Sequence, residues 1–391
     1  MPSRFFIVAC ESSGDAHGAH LMEEIKRLNP GAEFRGLGGP KMAAAGLDLL
    51  YDMTRISALG LGDVLRQYFK YRKIFYQAVH AIREWKPDAV IVIDSPAFNL
   101  RLAKKISKLA PVIYYISPQL WAWGARRIKV IQKHIAHMLV ILPFETGLYQ
   151  KAHVPVTFVG HPLLDEISPS QNREALRARL GLKQGEIGIG LLPGSRRKEV
   201  QRIFPVMLEA AEILRRKVPQ AVFYFRPAPS IPYSVYASLL EAHPGLAVRH
   251  PDLGFHDLVH SLDFALVTSG TATLETALMG TPYFLLYKAS TSTYWLGRWL
   301  IRVRYLGLVN LLAGKSVVPE FIQTGMQPET IAHEAEIFLK NPDLARNMRE
   351  EFENVRMLLG SSGASRRAAE AVLKFVTHPS PEPDRKIPLS S

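Results

Sequence analysis

The chain has 391 residues, 48% hydrophobic and 21% charged, and its 48 Lys and Arg outnumber 35 Asp and Glu for a net charge of +13. That length exceeds what one hydrophobic core supports, so two domains are expected, and no window reaches the roughly 20 apolar residues of a membrane span. The apolar start "FFIVAC" is too short for a signal peptide, and a single cysteine, Cys10, excludes an internal disulfide or a cysteine-clustered zinc site, so a cytoplasmic setting is expected.

Strand-like and helix-like segments alternate from the first residues. "RFFIVAC" precedes a helix from about Ala16 to Leu28, and "EFRGLGG", "DAVIVID", "PVIYYIS", "HMLVIL" and "VTFVG" follow as strands with helices between them. This is the pattern of a doubly wound α/β domain. Polar and turn residues in "GHPLLDEISPSQ", Gly160 to Gln171, mark a junction, after which "IGIGLLPGS", "AVFYFRP", "LAVRH", "DFALVTSG" and "PYFLLY" begin a second series. The expected domains are 1–165 and 166–360, with a helix in 361–376 whose docking is left open and a proline-rich, disordered tail at 377–391.

Several chemistries are excluded by spacing. "ACESSGDAHG" supplies Gly14 and Gly18 but no G-x-G-x-x-G, and "AGKS" at Ala313 to Ser316 has Val309 where a P-loop needs glycine. The thirteen histidines show no H-E-x-x-H spacing and no D-x-D pair is present, so neither a metal nor a cofactor is expected.

Three constellations carry chemistry. In "VIVIDSPAFN", Val90 to Asn99, a buried parallel strand ends in Asp94, which either caps the turn that Pro96 forces or does chemistry at the sheet's carboxyl edge. "ACESSGDAHGAH" places Glu11, Ser12, Gly14, Asp15 and His17 in a loop beside it, where ordinary loop solvation is the competing reading. "LLPGSRRKEV" runs from a strand through Gly194, Ser195 and Arg196 into a helix, and "VTSGTATLETALMG" does so through Ser269, Gly270 and Thr271. Both read as phosphate sites at helix N-termini, with Arg196 a donor fork for oxyanions and Glu275 a partner for ribose hydroxyls; plain capped turns are the alternative.

These stretches, together with "GLGGPKMAAAGLDLLYD", "YYISPQLWAWGARRIKVI", "LPFETGLY", "VGHPLLD" and "LVNLLAGKSVVPEFIQ", resemble the lipid A disaccharide synthases of Gram-negative lipopolysaccharide assembly, up to about residue 376. The resemblance implies a GT-B glycosyltransferase: two Rossmann-like domains facing a cleft, with UDP in the C-terminal one. It implies transfer from UDP-2,3-diacylglucosamine to 2,3-diacylglucosamine 1-phosphate (lipid X), with β-1,6 linkage and release of UDP. Asp94 matches the family's catalytic aspartate, Arg196 and Glu275 its UDP-binding positions, and Asn310 and Glu320 fall in its neighbouring segment. Ala97 stands where many members carry a second aspartate, a departure that bears on which carboxylate is the base. Glu11 and His17 are expected to position the acceptor or tune Asp94.

Acylated substrates call for a lipid-facing surface. Val64 to Arg83 and Tyr294 to Asn310 mix aromatic and apolar residues with cations: Arg66, Lys70, Arg72 and Lys73 in the first, Trp295, Arg298, Trp299, Arg302 and Arg304 in the second. They read either as anionic-membrane patches of a peripheral protein on the inner membrane's cytoplasmic face or as helices with inward aromatics. Trp121, Trp123, Arg126 and Arg127 in "SPQLWAWGARR" line an acceptor or acyl groove, or pack in a corner. Rival readings are a UDP-N-acetylglucosamine 2-epimerase on the same fold, a silent UDP-sugar binder, and a nucleic-acid binder. The last lacks a recognisable binding motif, so no nucleic acid is expected; an oligomer is left open.

Overall fold

The computed structural model describes residues 3–57, 64–122, 124–289 and 304–377, with side-chain detail except at 56–57 and 64–68. Among these residues thirteen strands form two sheets, parallel throughout. The first joins β1 (Arg4–Ala9), β2 (Glu33–Gly38), β3 (Asp48–Asp52), β4 (Ala89–Ile93), β5 (Val112–Tyr115), β6 (His137–Val140) and β7 (Val156–Phe158) in the order β3-β2-β1-β4-β5-β6-β7. The second joins β8 (Ile187–Leu192), β9 (Ala221–Phe225), β10 (Val248–Arg249), β11 (Phe264–Thr268), β12 (Tyr283–Tyr287) and β13 (Glu320–Ile322) in the order β10-β9-β8-β11-β12-β13. The architecture is the expected α/β one, two doubly wound parallel sheets. Inner strands such as β4, buried at all five positions, are covered on both faces, so their sequences run continuously apolar instead of alternating.

The chain divides into two compact units, Met1–Asp165 with Leu359–Ser391 and Glu166–Leu358. The return to the first unit is made by the helix Ala364–Thr377. Asp165 accepts hydrogen bonds from the N–H of Gly363 and Ala364 at its start, and Arg367 Nε donates to Val159 O at 2.8 Å. Ala368, Ala369 and Val372 are fully buried in the same cluster as Met22 and Ile93. Leu359 and Gly360, counted with the second domain on sequence, therefore belong to the first unit. Thr377 is the last residue of the helix and not the start of the tail, its hydroxyl donating to Leu373 O.

Two edge strands escape the sequence reading. β3, with an acid at each end and no fully buried residue, and β13, three residues long, are borders of their sheets and lack the apolar run that marks an inner strand. A helix also begins earlier than expected: Ser12–Leu28 takes in the residues read as a polar loop. Gly18 in that helix permits its close packing, since a Cβ there would lie 2.6 Å from Met42 Sδ and 3.1 Å from Ile93 Cδ1.

Candidate functional site

In the first unit the strand order reverses between β1 and β4, whose register pairs Ala9 with Ile93. The residues immediately beyond, Cys10 and Glu11 on one strand and Asp94 and Ser95 on the other, lie at the carboxyl edge where doubly wound sheets place their ligands. Asp94 and Ser95 both have left-handed backbones, φ 46° and 43°, a conformation costly for residues other than glycine. The surroundings impose it. Asp94 N donates to Tyr115 O at 3.1 Å, while Asp94 O accepts from Tyr114 Oη at 2.5 Å and from Asn99 Nδ2 at 2.7 Å. Burial, and then the neighbouring charge of Glu11, push the Asp94 carboxyl above the usual aspartate range. Cys10 next to it is buried and its thiol is pushed up to about 12, which makes it inert.

Of the other residues from the first constellation, Asp15 is structural. Nearly fully buried, it accepts from the N–H of Gly39, Lys41 and Met42 at 2.7–3.0 Å and so caps the short helix Pro40–Ala44. His17 faces a buried environment. Desolvation, followed by the charges of His20 and Lys41, pulls it down to about 4, and His161 is drawn to about 4 by burial and by His17. Both imidazoles are neutral at pH 7. His161, from "VGHPLLD", is a buried partner of this edge that residue pattern alone did not single out.

Beside the carboxylates opens a cavity of about 670 Å³. Glu11 and Ser95 are in its wall; Asp94, the residue before Ser95, is not itself a wall residue. Tyr71, Phe75, Tyr76 and Phe98 supply most of the apolar surface, with Phe75 and Phe98 edge-to-face at 5.7 Å. Ala97 is part of the wall, so a carboxylate at that position would lie in this cavity. The helix Val64–Trp85 thus divides its aromatics. Ile74, Ala78 and Ile82 form the buried face, Tyr71 and Phe75 are half-buried, and Phe69 and Tyr76 are 63% and 54% exposed. Trp121 Nε1 donates to Glu145 at 3.2 Å and the ring stands edge-on to Phe144; burial raises Glu145 to about 7. Trp123, Trp295, Arg298, Trp299 and Arg302 lie outside the described residues, as does the side chain of Arg66.

The second unit repeats the topology with different chemistry. β8 and β11 are adjacent at the order reversal, Leu192 opposite Val267, and both run directly into helices, Arg197–Lys217 and Thr271–Leu278. A cavity of about 480 Å³ is bounded here by Gly194, Ser195 and Arg196 from one turn and Ser269, Gly270 and Thr271 from the other, with Glu275 beyond. Gly194 has φ 98°, and a Cβ would meet Glu199 Oε2 at 3.1 Å and Thr268 Cγ2 at 3.2 Å, so the turn requires glycine. A Cβ on Gly270 would meet nothing within 4 Å. Arg196 is 79% exposed and pairs with Glu199 at 2.7 Å; Glu275 Oε2 lies 3.2 Å from His256 Nε2. Thr268 Oγ1 is buried with no hydrogen-bond partner among the described residues, in the wall of this same cavity. Thr268, Arg226 and Phe255 are wall residues that the sequence motifs contained or bordered without marking them.

Asn310 and Glu320 are not in that wall. Asn310 is buried and fully engaged: its Nδ2 donates to Val318 O and Glu320 Oε1, and its Oδ1 accepts from Val317 N and Val318 N. Glu320 accepts in addition from Leu306 N and Gly307 N. The pair clamps the backbone around β13, with no capacity on Asn310 left for a ligand. Among the described residues no group of three His, Cys, Asp or Glu is placed to hold a metal, and no helix is long and apolar enough to cross a membrane.

Residues 5–375 match the family model described as lipid-A-disaccharide synthetase. The chain belongs to that family. A lipid-A-disaccharide synthase of Geobacter sulfurreducens is 41% identical over 374 residues, 95% of this chain and 97% of the relative, and one of Syntrophus aciditrophicus is 42% identical over 371. Among solved structures, a UDP-N-acetylglucosamine 2-epimerase from Neisseria meningitidis bound to UDP-N-acetylglucosamine has a TM-score of 0.64 at 14% identity, with 96% of this chain and 100% of that chain covered. A calicheamicin glycosyltransferase has a TM-score of 0.59 at 13% identity, covering 97% of this chain and 100% of that chain. These structures share the GT-B fold with the chain, and because epimerases and transferases are both among them, the fold alone does not choose between the two activities. The family match does: it is a family of glycosyltransferases of lipid A biosynthesis.

Proposed function

We propose that this chain performs its family's synthesis of the lipid A disaccharide by moving 2,3-diacylglucosamine from UDP onto the 6-hydroxyl of 2,3-diacylglucosamine 1-phosphate. Asp94 takes the hydroxyl proton as the oxygen bonds to the donor's anomeric carbon, and the bond from that carbon to the diphosphate breaks with its electron pair leaving on UDP. Attack opposite the UDP converts the α-linkage to β in one step, without a covalent sugar intermediate. The cavity after β8 and β11 takes the UDP. First-turn N–H groups following Gly194 and Gly270, helped by Ser195, Ser269 and Thr271, face the diphosphate, Arg196 adds its fork, and Glu275 holds ribose hydroxyls. Asn310 and Glu320 act on that site only through the backbone they clamp.

The observation that carries the role of Asp94 is its enforced, strained backbone beside a second carboxylate. That arrangement holds one rotameric origin for the side chain and raises its pKa toward that of a useful base. His17, neutral and half-buried, positions the carboxylates or the acceptor. A second reading exchanges the two acids, and one observation favours it: Glu11, and not Asp94, is in the cavity wall.

We also assign the protein to the cytoplasmic face of the inner membrane as a peripheral protein. Exposed Phe69 and Tyr76 with Arg72 stacked 5.9 Å from the Tyr76 ring, and the net charge of +13, support attachment to an anionic surface. Sedimentation with phosphatidylglycerol vesicles, and its loss in Phe69→Ser/Tyr76→Ser, checks this. The reaction itself is tested by incubating both acylated sugars in detergent and weighing the product. A disaccharide 1-phosphate with one UDP released per product is expected; conversion of the UDP-sugar without acceptor would move the chain to the epimerases.

A further inference from the structure

The charged side chains around the cavity after β8 and β11 are not equivalent. Arg196 is exposed and already paired with Glu199, and Glu275 lies against His256. Arg226, in the same wall, is half-buried and makes no hydrogen bond or ion pair among the described residues. A guanidinium gives up hydration when it is partly buried, and that cost stays uncompensated until oxygen acceptors meet it.

The backbone that carries this cation is firmly held. β9 pairs with β8 through Phe225 opposite Leu191, so Arg226 leaves its strand beside the turn of Gly194, Ser195 and Arg196. Two prolines of fixed φ stiffen the segment that follows, Pro227-Ala228-Pro229-Ser230. Ala228 N donates to the hydroxyl of the fully buried Tyr236 at 3.1 Å, and Ser230 Oγ donates to Ser195 O at 3.1 Å. The loop bearing Arg226 is thereby tied to the turn that opens the helix Arg197–Lys217.

We propose that Arg226 is a diphosphate ligand of the nucleotide site, the cation that makes this site prefer UDP to the uncharged nucleoside. The inference rests on the assignment of UDP to this cavity and goes beyond it by adding a residue that lies outside both strand-turn-helix motifs. Charge points to the phosphates and not to the base. Arg196 and Glu199 cancel and Glu275 adds a negative charge, so without Arg226 the side chains of the wall would be net negative toward a diphosphate. A planar fork spans two phosphate oxygens, which a single ammonium does not. Arg196 must give up Glu199 to bind an anion; Arg226 has no such partner to release, so less of its interaction with the ligand is lost to rearrangement.

The test measures UDP binding by calorimetry, and uridine binding by competition against UDP, in native protein, Arg226→Ala and Arg226→Lys. In Arg226→Ala the affinity for UDP falls by about 10- to 100-fold, the scale of a lost charge-assisted hydrogen bond, while that for uridine stays within about twofold. Arg226→Lys recovers part of the loss. The melting temperature without nucleotide does not fall in Arg226→Ala, because the side chain makes no hydrogen bond or ion pair that unfolding would release. An equal loss for UDP and uridine overturns the proposal by making Arg226 a ligand of the base or ribose, and an unchanged UDP affinity overturns it outright. A lowered melting temperature, with both ligands lost and no rescue by lysine, overturns it by making the residue structural. Failure of the native protein to bind UDP sinks the assignment of the cavity, whereas native binding with Arg226→Ala unimpaired sinks this inference alone.

Discussion

The carboxyl edges of the two sheets share a topology and differ in almost everything else. At β1 and β4 the chain places acids behind bulky residues, in a backbone bent into left-handed φ at Asp94 and Ser95 and pinned by Tyr114 and Asn99. At β8 and β11 it places glycine, serine and threonine before two helices, with an exposed arginine and an unpartnered buried hydroxyl on Thr268. The same reversal of strand order offers a pair of helix or turn starts in each case. Large side chains and acids line one edge, and small residues with helix N-termini line the other, the difference on which the proposed division between proton transfer and anion binding rests. Fold supplies the place, and the five or six residues after each strand supply the chemistry.

The contrast is broken most forcefully by acid. His17 and His161 are held neutral in the first unit, with pKa values near 4 against an ordinary 6.5. The unfolded chain takes up those protons between pH 6.5 and about 4 while the folded unit refuses them. Stability is therefore intact above 6.5 and falls as pH drops through that window, by about 3 kcal/mol for each fully expressed shift of this size. Peptide-resolved hydrogen exchange, corrected for intrinsic rates, is expected to show β1 and β4 losing protection there before β8 and β11, and His161→Gln to flatten the loss. Equal behaviour of the two sheets would remove the distinction.

Arg196→Ala sharpens the contrast from the other side. It is expected to weaken UDP binding about 10- to 100-fold by calorimetry while the binding of the diacylated acceptor stays as it was. Gly194→Ala is next in size: a Cβ at φ 98° against Glu199 and Thr268 costs about 1–2 kcal/mol of stability in the second unit, read from its denaturation midpoint. The smallest effect is a shift of a pH profile. Glu11 raises the Asp94 pKa, and the base must be ionised, so Glu11→Gln moves the acid limb of kcat/KM to lower pH. Ala97→Asp, which adds a carboxylate to the cavity wall, moves it the other way.

Legibility in the sequence follows the same division. The second edge is local, since glycine, serine and arginine directly after an apolar strand state their purpose within ten residues, and both turns do border one cavity. Thr268 escaped because a threonine at a strand end is unremarkable until its hydroxyl proves to be buried alone. The first edge is assembled from distant segments. Tyr71, Phe98 and Arg127 meet Glu11 only through the sheet, and amphipathic spacing in Val64–Trp85 fits an inward face and a lipid-facing one equally well. Glu11 to His17 read as a loop because short polar residues and a glycine mask a helix start, although Asp15 is spent on capping and Gly18, just beyond, on close packing. Asn310 and Glu320 show a further limit: a polar pair near a site is equally well explained by a backbone clamp.

One comparison bears directly on the division of labour between the edges: turnover and UDP affinity measured side by side in Asp94→Asn. The account predicts that kcat for UDP release falls by roughly 10²- to 10⁴-fold, the range of a lost general base, while the dissociation constant for UDP stays within twofold of the native value. Turnover retained in the variant, or a UDP affinity that falls together with it, would contradict the claim that proton transfer belongs to the first edge and the nucleotide to the second.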